Sequence, residues 1–76
     1  MRVHVLTMIK FCQDHRWPIK IKVDLATRKA YIYCHVNNRD KYITCRKNLS
    51  LAKEFLSSHS LYPNSIDYII NLSKEY

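Results

Sequence analysis

The sequence predicts a small α+β domain, with an N-terminal helix, a three-stranded antiparallel β-meander and two C-terminal helices in the order αβββαα. Three observations lead to this prediction. Residues 3–15 repeat apolar side chains at helical spacing, three later segments alternate apolar and polar residues, and the connections between those segments are short enough to require antiparallel neighbours. The chain of 76 residues is interpreted as a single domain, 1–76, near the lower size limit for a self-sufficient core.

The N-terminal helix is predicted from one apolar stripe. Val5, Ile9 and Cys12 recur at helical intervals, while polar residues occupy the opposite side. Trp17-Pro18 ends the helix, because the residue before a proline is pushed out of the helical region. The alternation at residues 2–5 is also compatible with the start of a strand.

The three predicted strands alternate apolar and polar side chains and cover residues 19–23, 30–36 and 42–46. Residues 37–40 form the turn between the second and third strands. If Val36 faces Lys41 and Ile21 faces Cys34, the apolar residues of all three strands share one face. That face is the predicted core side of the sheet.

Two helices are predicted after the sheet. Asn48 or Ser50 caps the first of them. The last helix begins at Asn64 or Ser65 and continues towards residue 76. Its apolar stripe consists of Ile66, Ile69 and Ile70.

The composition excludes several classes of site. Glycine is absent, where average usage would give roughly five residues. The sequence therefore contains neither a phosphate-cradling loop nor a dinucleotide-binding fingerprint, and we expect no cofactor. No stretch is apolar enough for a signal peptide or a membrane span, so we expect a cytoplasmic protein with no membrane association.

The cysteines predict neither a disulfide framework nor a metal site. Cys12 and His15 have half of a zinc-like spacing, but Cys34 and His35 are neighbours on a strand and face opposite ways. All three cysteines, Cys45 included, fall at apolar positions, where a free thiol behaves as a small hydrophobe. We therefore expect no metal.

The positive charge of the chain is concentrated on the predicted sheet. Residues 18–47 hold eight lysines and arginines against Asp24 and Asp40, a net charge of +6 within a total of +7. A field this directional favours an anionic partner, either nucleic acid or an acidic protein.

Strand alternation predicts which face carries this charge. The side chains that point away from the core, Thr44 among them, form a basic face with three tyrosines. Cations neutralise phosphates and aromatic rings stack on bases, so this face predicts a nucleic-acid surface. Hairpin tips with Arg28, Lys29 and Arg39 could instead follow a duplex backbone or enter a groove. The candidate binding residues are Lys20, Lys22, Tyr31, Tyr33, His35, Arg39, Lys41, Tyr42, Arg46 and Lys47.

Three other interpretations stay open beside this non-enzymatic module. The same face could dock on an acidic protein, as an inhibitor encoded by a phage or mobile element would, and a homodimer is compatible with the thin core. A metal-independent ribonuclease could use His35 beside Lys20, Lys22 and Tyr42. If helices cover both faces of the sheet, the tyrosines belong to the core and the charges form a solvated rim.

The order helix, three strands, helix resembles that of double-stranded-RNA-binding folds and of the small toxin ribonucleases built on them. The sheet with its helix is also similar to the arm-binding domains of tyrosine recombinases. The Gly-Ser-His strand motif of the toxin family is missing, since the chain has no glycine, so no functional residue is carried over. Small size and a Lys-, Ile-, Tyr- and Asn-rich composition suggest a phage or mobile element with an AT-rich genome.

Overall fold

The computed structural model describes residues 2–70, with side chains from Val5 onwards. Within this range the chain forms two helices and four strands. Their bounds are α1 Arg2–His15, β1 Ile19–Asp24, β2 Ala30–Val36, β3 Arg39–Arg46, α2 Leu49–Ser58 and β4 Ser65–Ile69. The prediction of a small α+β domain is therefore confirmed, but the predicted numbers of strands and helices differ from those of the described chain.

One mixed sheet carries all four strands in the order β3-β2-β1-β4. β1, β2 and β3 are antiparallel neighbours, as the short connections predict, and β4 adds to β1 in parallel orientation. Both described helices pack on one face, where Ile9 and Cys12 of α1 and Leu56 of α2 join the apolar residues of β1 and β2. We call this side of the sheet the helical face and the opposite side the outer face.

The two helices follow from the sequence pattern. Ile9 and Cys12 are buried along one side of α1, and α1 covers the residues whose alternation was compatible with a strand. Leu51 N donates to the Asn48 side-chain oxygen at 2.9 Å, so Asn48 rather than Ser50 is the N-cap of α2. Neither helix in the described range is long and apolar enough to cross a membrane.

The segment predicted as the last helix is a strand, β4, in its described part. Its isoleucines alternate across the sheet, so that Ile66 packs on the helical face and Ile69 on the outer face. Asn64 anchors the strand, because Ile19 N donates to its side-chain oxygen at 3.1 Å and Asn64 N donates to Ile19 O at 2.7 Å. The rest of the predicted helix, 71–76, lies outside the described residues.

The first hairpin has a register two residues away from the predicted one. Ile21 pairs with Ile32 rather than with Cys34. The turn begins early because Ala26 N donates to the Asp24 carboxylate at 2.9 Å, which forms an Asx turn. An even shift leaves each side chain on its original face, so the predicted core side of β1 and β2 agrees with the structure.

The second hairpin also differs from the predicted register. Asn37 and Asn38 have φ angles of 51° and 64°, and Val36 pairs with Arg39 rather than with Lys41. Positive φ at both central residues is the type I′ geometry, which matches the twist of a hairpin. In a chain without glycine, asparagine is the residue that best adopts it.

Candidate functional site

A β-bulge in β3 decides which side chains share a face. Ile32 pairs with Thr44 and the next residue, Tyr33, pairs with Tyr42, so Ile43 is an extra residue in β3. Side-chain alternation is reversed at this point. The residues before the bulge keep the predicted faces, and the residues after it exchange them.

Arg46 and Thr44 consequently lie on the helical face, and their predicted place on the outer face is wrong. Cζ of Arg46 lies 4.1 Å from the centre of the Phe55 ring, and Arg46 Nη1 donates to Thr44 Oγ1 at 3.0 Å. Cys45 takes the outer position and packs with Tyr31. The bulge thus places Arg46 on the same side of β3 as Arg39, the partner of the core-facing Val36.

The tyrosines of the outer face are packed together. Tyr31 and Tyr33 are only 8% and 3% exposed, and the Tyr42 ring lies 6.3 and 5.8 Å from theirs. Lys22 Nζ lies 4.6 Å from the centre of the Tyr33 ring. The alternative in which the tyrosines belong to a core therefore describes Tyr31 and Tyr33 better than a stacking platform for bases does.

One carboxylate lies among the cations of the outer face. His35 Nδ1 lies 2.8 Å from Asp40 Oδ1, and the ammonium groups of Lys20 and Lys22 lie 3.3 and 3.5 Å from Asp40 Oδ2. Partial burial raises the pKa of Asp40, but the hydrogen bonds and charges of its neighbours outweigh burial and hold that pKa below its ordinary value. Two predicted phosphate ligands, Lys20 and Lys22, are thus already paired with a carboxylate.

Cations without such a partner lie along β3. Arg39 and Lys41 are exposed and pair with Val36 and Cys34, which places them on the helical side of the strand. Neither forms an ion pair with any residue between 5 and 70. Since β3 is an edge strand, no further strand of the described sheet lies beyond them.

This row of cations continues past the end of β3. Ala30 pairs with Arg46, and the flanking Lys29 and Lys47 line one shallow cleft at that end of the sheet. Both lysines are exposed and unpaired within the described chain. Like charges side by side are unfavourable unless an anion binds between them. We call this set the cationic edge; its members are Lys29, Arg39, Lys41 and Lys47.

The ribonuclease interpretation depends on His35, and the structure brings its named residues onto one face. Asp40 orients the His35 ring as a carboxylate partner would in acid–base catalysis. Lys20 and Lys22, which this interpretation assigns to the substrate phosphate, instead contact the same carboxylate.

The cysteines occupy packing positions. Cys12 and Cys34 are fully buried in the core of the helical face, and Cys45 packs with the tyrosines of the outer face. Burial, with the neighbouring Cys34 thiol as a second cause, raises the pKa of the Cys12 thiol to about 12. Residues 5–70 contain no group of three or more side chains placed to hold a metal ion.

The predicted register did not place Asp40 opposite His35, and sequence reasoning undervalued Lys29. A shorter turn at Asn37-Asn38 places Asp40 opposite His35, so the type I′ preference of paired asparagines is the signal that could have found it. The place of Lys29 beside Lys47 depends on the bulge, for which the residues of β3 offer no comparable signal.

No protein-family model, curated protein or solved structure matches this chain.

Proposed function

We propose that this protein is a non-enzymatic module that binds the phosphate backbone of nucleic acid through the cationic edge. The observation that carries the proposal is the contrast between two sets of cations. Lys20 and Lys22 are paired with Asp40, whereas the four members of the cationic edge are exposed and form no ion pair with the described residues. Nucleic acid remains the predicted partner, and the contact moves from the outer face to β3.

Phosphate contacts fit the geometry of this edge. Arg39 and Lys41 are two residues apart on one side of a strand, a spacing of about 6.6 Å. Lys29 and Lys47 add two exposed cations at the far end of β3. Arg46 adds charge, but its side chain is fixed on Phe55 and Thr44. Contacts of this kind position a backbone without reading bases, so we expect steep salt dependence and weak sequence preference.

The test uses two matched double variants in fluorescence anisotropy titrations with labelled single-stranded DNA, duplex DNA and RNA at several salt concentrations. Arg39→Gln with Lys41→Gln removes the same charge as Lys20→Gln with Lys22→Gln. If the cationic edge carries the contact, the first pair lowers the slope of log affinity against log salt by about 1.4 to 1.8, from two lost phosphate contacts. The second pair changes the slope much less, because its ammonium groups already contact Asp40.

Equal slopes for the two double variants would contradict the assignment to β3. The absence of binding by the unmodified chain, even at low salt, would reject the nucleic-acid function. Shortening of the labelled RNA that His35→Ala abolishes would favour the ribonuclease alternative instead.

A protein partner is the second candidate, and the other edge of the sheet favours it. β4 carries no lysine or arginine, and Leu25, Tyr68 and Ile70 are exposed near its end. An edge strand whose single charged residue is Asp67 can accept a strand from another protein. Tyr68→Arg places a charge on this edge, so it should abolish capture of such a partner and leave nucleic-acid affinity no weaker.

A further inference from the structure

We infer that a cleft where both helices end receives one unstacked nucleobase of a single-stranded nucleic acid. The inference rests on the proposed function and adds a base site to its phosphate contacts. The cleft lies between the C-terminal ends of α1 and α2 and the start of β4, at the end of the sheet away from Lys47. Its volume of about 490 Å³ is within the range of small-molecule sites.

The cleft has an apolar floor and aromatic walls. Cys12 and Ile19, both almost completely buried, form the floor, and Trp17 and Tyr62 line the sides. The Trp17 ring stacks on His15 with a centroid distance of 4.5 Å, which fixes its orientation. Aromatic rings are the surfaces on which unpaired bases stack, with little dependence on base identity.

Two left-handed residues at the helix ends shape the rim. Arg16 and Ser60 have φ angles of 55° and 60°, and each follows its helix in a Schellman arrangement. In α1 this arrangement is closed by Trp17 N, which donates to Cys12 O at 3.2 Å, and α2 ends with the equivalent hydrogen bond. A rim built from hydrogen-bonded helix ends is organised before a ligand arrives.

Two side-chain amides offer a donor and an acceptor at this rim. Gln13 Nε2 donates to His59 O, which ties the two helix ends together and leaves Gln13 Oε1 as an acceptor. Asn64 Oδ1 accepts from Ile19 N at 3.1 Å, which leaves the Asn64 amide group as a donor. An unstacked base presents donors and acceptors on its Watson–Crick edge and can use both.

Electrostatics favours a neutral ring inside the cleft and a phosphate outside it. Both helices direct their C-terminal carbonyl ends to this region, and a helix C-terminus disfavours an anion. The Arg16 guanidinium lies at the rim, is exposed, and forms no ion pair with the described part of the chain. A base in the cleft therefore places its neighbouring phosphate within reach of a free cation.

Trp17 is the single tryptophan of the chain, so its fluorescence reports on this cleft. The probes are an oligothymidylate of about twelve nucleotides and an abasic deoxyribose-phosphate oligomer of equal length. We expect oligothymidylate to quench Trp17 and to bind about tenfold more tightly than the abasic oligomer, the value of one stacked base. The abasic oligomer, which binds by its phosphates alone, should leave the emission nearly unchanged.

Tyr62→Ala should remove most of this tenfold preference, whereas Tyr68→Ala should retain it. The two tyrosines are 69% and 57% exposed, so both substitutions spare the core, and only Tyr62 lines the cleft. Glycine suits the left-handed backbone at position 16, so Arg16→Gly should keep the fold. It should lower the affinity for both oligomers by a similar factor. Circular dichroism of each variant checks that the fold is kept.

The remaining outcomes distinguish failure of the base site from failure of the proposed function. Equal binding of the two oligomers with unchanged Trp17 emission overturns the base site and leaves the proposed phosphate contacts intact. A preference for oligothymidylate that Tyr62→Ala and Tyr68→Ala leave equally unaffected also overturns the base site. Failure of both oligomers to bind at low salt overturns the proposed function itself.

Discussion

The two edge strands of this sheet differ in how they are held and in what they present. β3 has eight residues, pairs antiparallel with β2 and follows it through a two-residue turn. β4 has five residues, pairs parallel with β1 and follows β3 only after the whole of α2. β3 presents Arg39 and Lys41, which guard an edge against pairing with other strands, while β4 presents Tyr68 and no cation.

The two edges should also differ in local stability. β3 is joined to its neighbour by a hairpin, whose closure costs little chain entropy. β4 lies at the end of a long crossover, and its side chains are at most half-buried. We therefore expect β4 to open at a lower free energy than β3.

The largest expected effect separates the central strands from the β4 edge. Ile21 is fully buried in β1 and pairs with the half-buried Ile66 of β4. Ile21→Ala should lower the free energy of unfolding by about 3 to 4 kcal/mol, and Ile66→Ala by about 1 to 2 kcal/mol, because less apolar contact is lost. Urea denaturation measures both values.

If Ile66→Ala lowers the free energy of unfolding as much as Ile21→Ala does, β4 contributes as much to the core as β1. If the Ile21→Ala variant does not fold, Ile21→Val replaces it. We expect Ile21→Val to lower the free energy of unfolding by about 1 kcal/mol.

The second prediction compares two asparagines whose side chains each accept a backbone hydrogen bond. Asn64 holds the start of β4, and Asn48 caps α2 just after β3. Each alanine substitution should lower the free energy of unfolding by about 1 kcal/mol, but each should loosen a different part of the fold. Asn64→Ala should speed amide hydrogen exchange in β4, and Asn48→Ala should speed it in the first turn of α2. Faster exchange throughout the sheet in the Asn64→Ala variant would show that β4 does not open by itself.

The smallest expected effect is confined to acidic pH and concerns the outer side of β3. The pKa of Asp40 in the folded chain lies below its ordinary value of 3.8, so between the two values the unfolded chain binds more protons. The resulting stabilisation is present above about pH 4 and is lost as the pH falls through the folded value. As the pH falls through this range, the urea midpoint of Asp40→Asn should fall less steeply than that of the unmodified chain. Equal steepness would show that the contacts of Asp40 with His35, Lys20 and Lys22 do not stabilise the fold.

The same contrast explains how much of the fold the sequence predicts. α1, α2 and the three antiparallel strands can be predicted from patterns among neighbouring residues. Residues such as Ile9, Ile21 and Leu56 lie in the core, as their spacing indicates. β4 forms because it pairs with β1, a strand more than forty residues earlier in the chain, as Lys20 does with Ser65. Its isoleucines fit a helical stripe and a strand equally well, so a local pattern alone could not decide between them.

The candidate site was less predictable than the fold, for a physical reason. Which residues lie on one face depends on register, and the bulge at Ile43 reverses the faces of Cys45 and Arg46 without altering the alternation in the sequence. Burial of Tyr31 and Tyr33 is also invisible locally, since tyrosine suits packed and open strand surfaces alike. By contrast, the concentration of positive charge on the sheet region can be predicted from composition alone.

The bulge at Ile43 has a consequence for how this strand can change in evolution. Loss of one residue usually ruins a strand, because every later side chain moves to the wrong face. In β3, deletion of Ile43 would restore a regular ladder, and Arg46 would keep its alignment with Ala30 on the helical face. The price is a core side chain, since Ile43 is buried among the apolar residues. Insertions and deletions at this position therefore act as changes in core volume, while substitutions of the exposed Arg39 and Lys41 act as changes in surface charge.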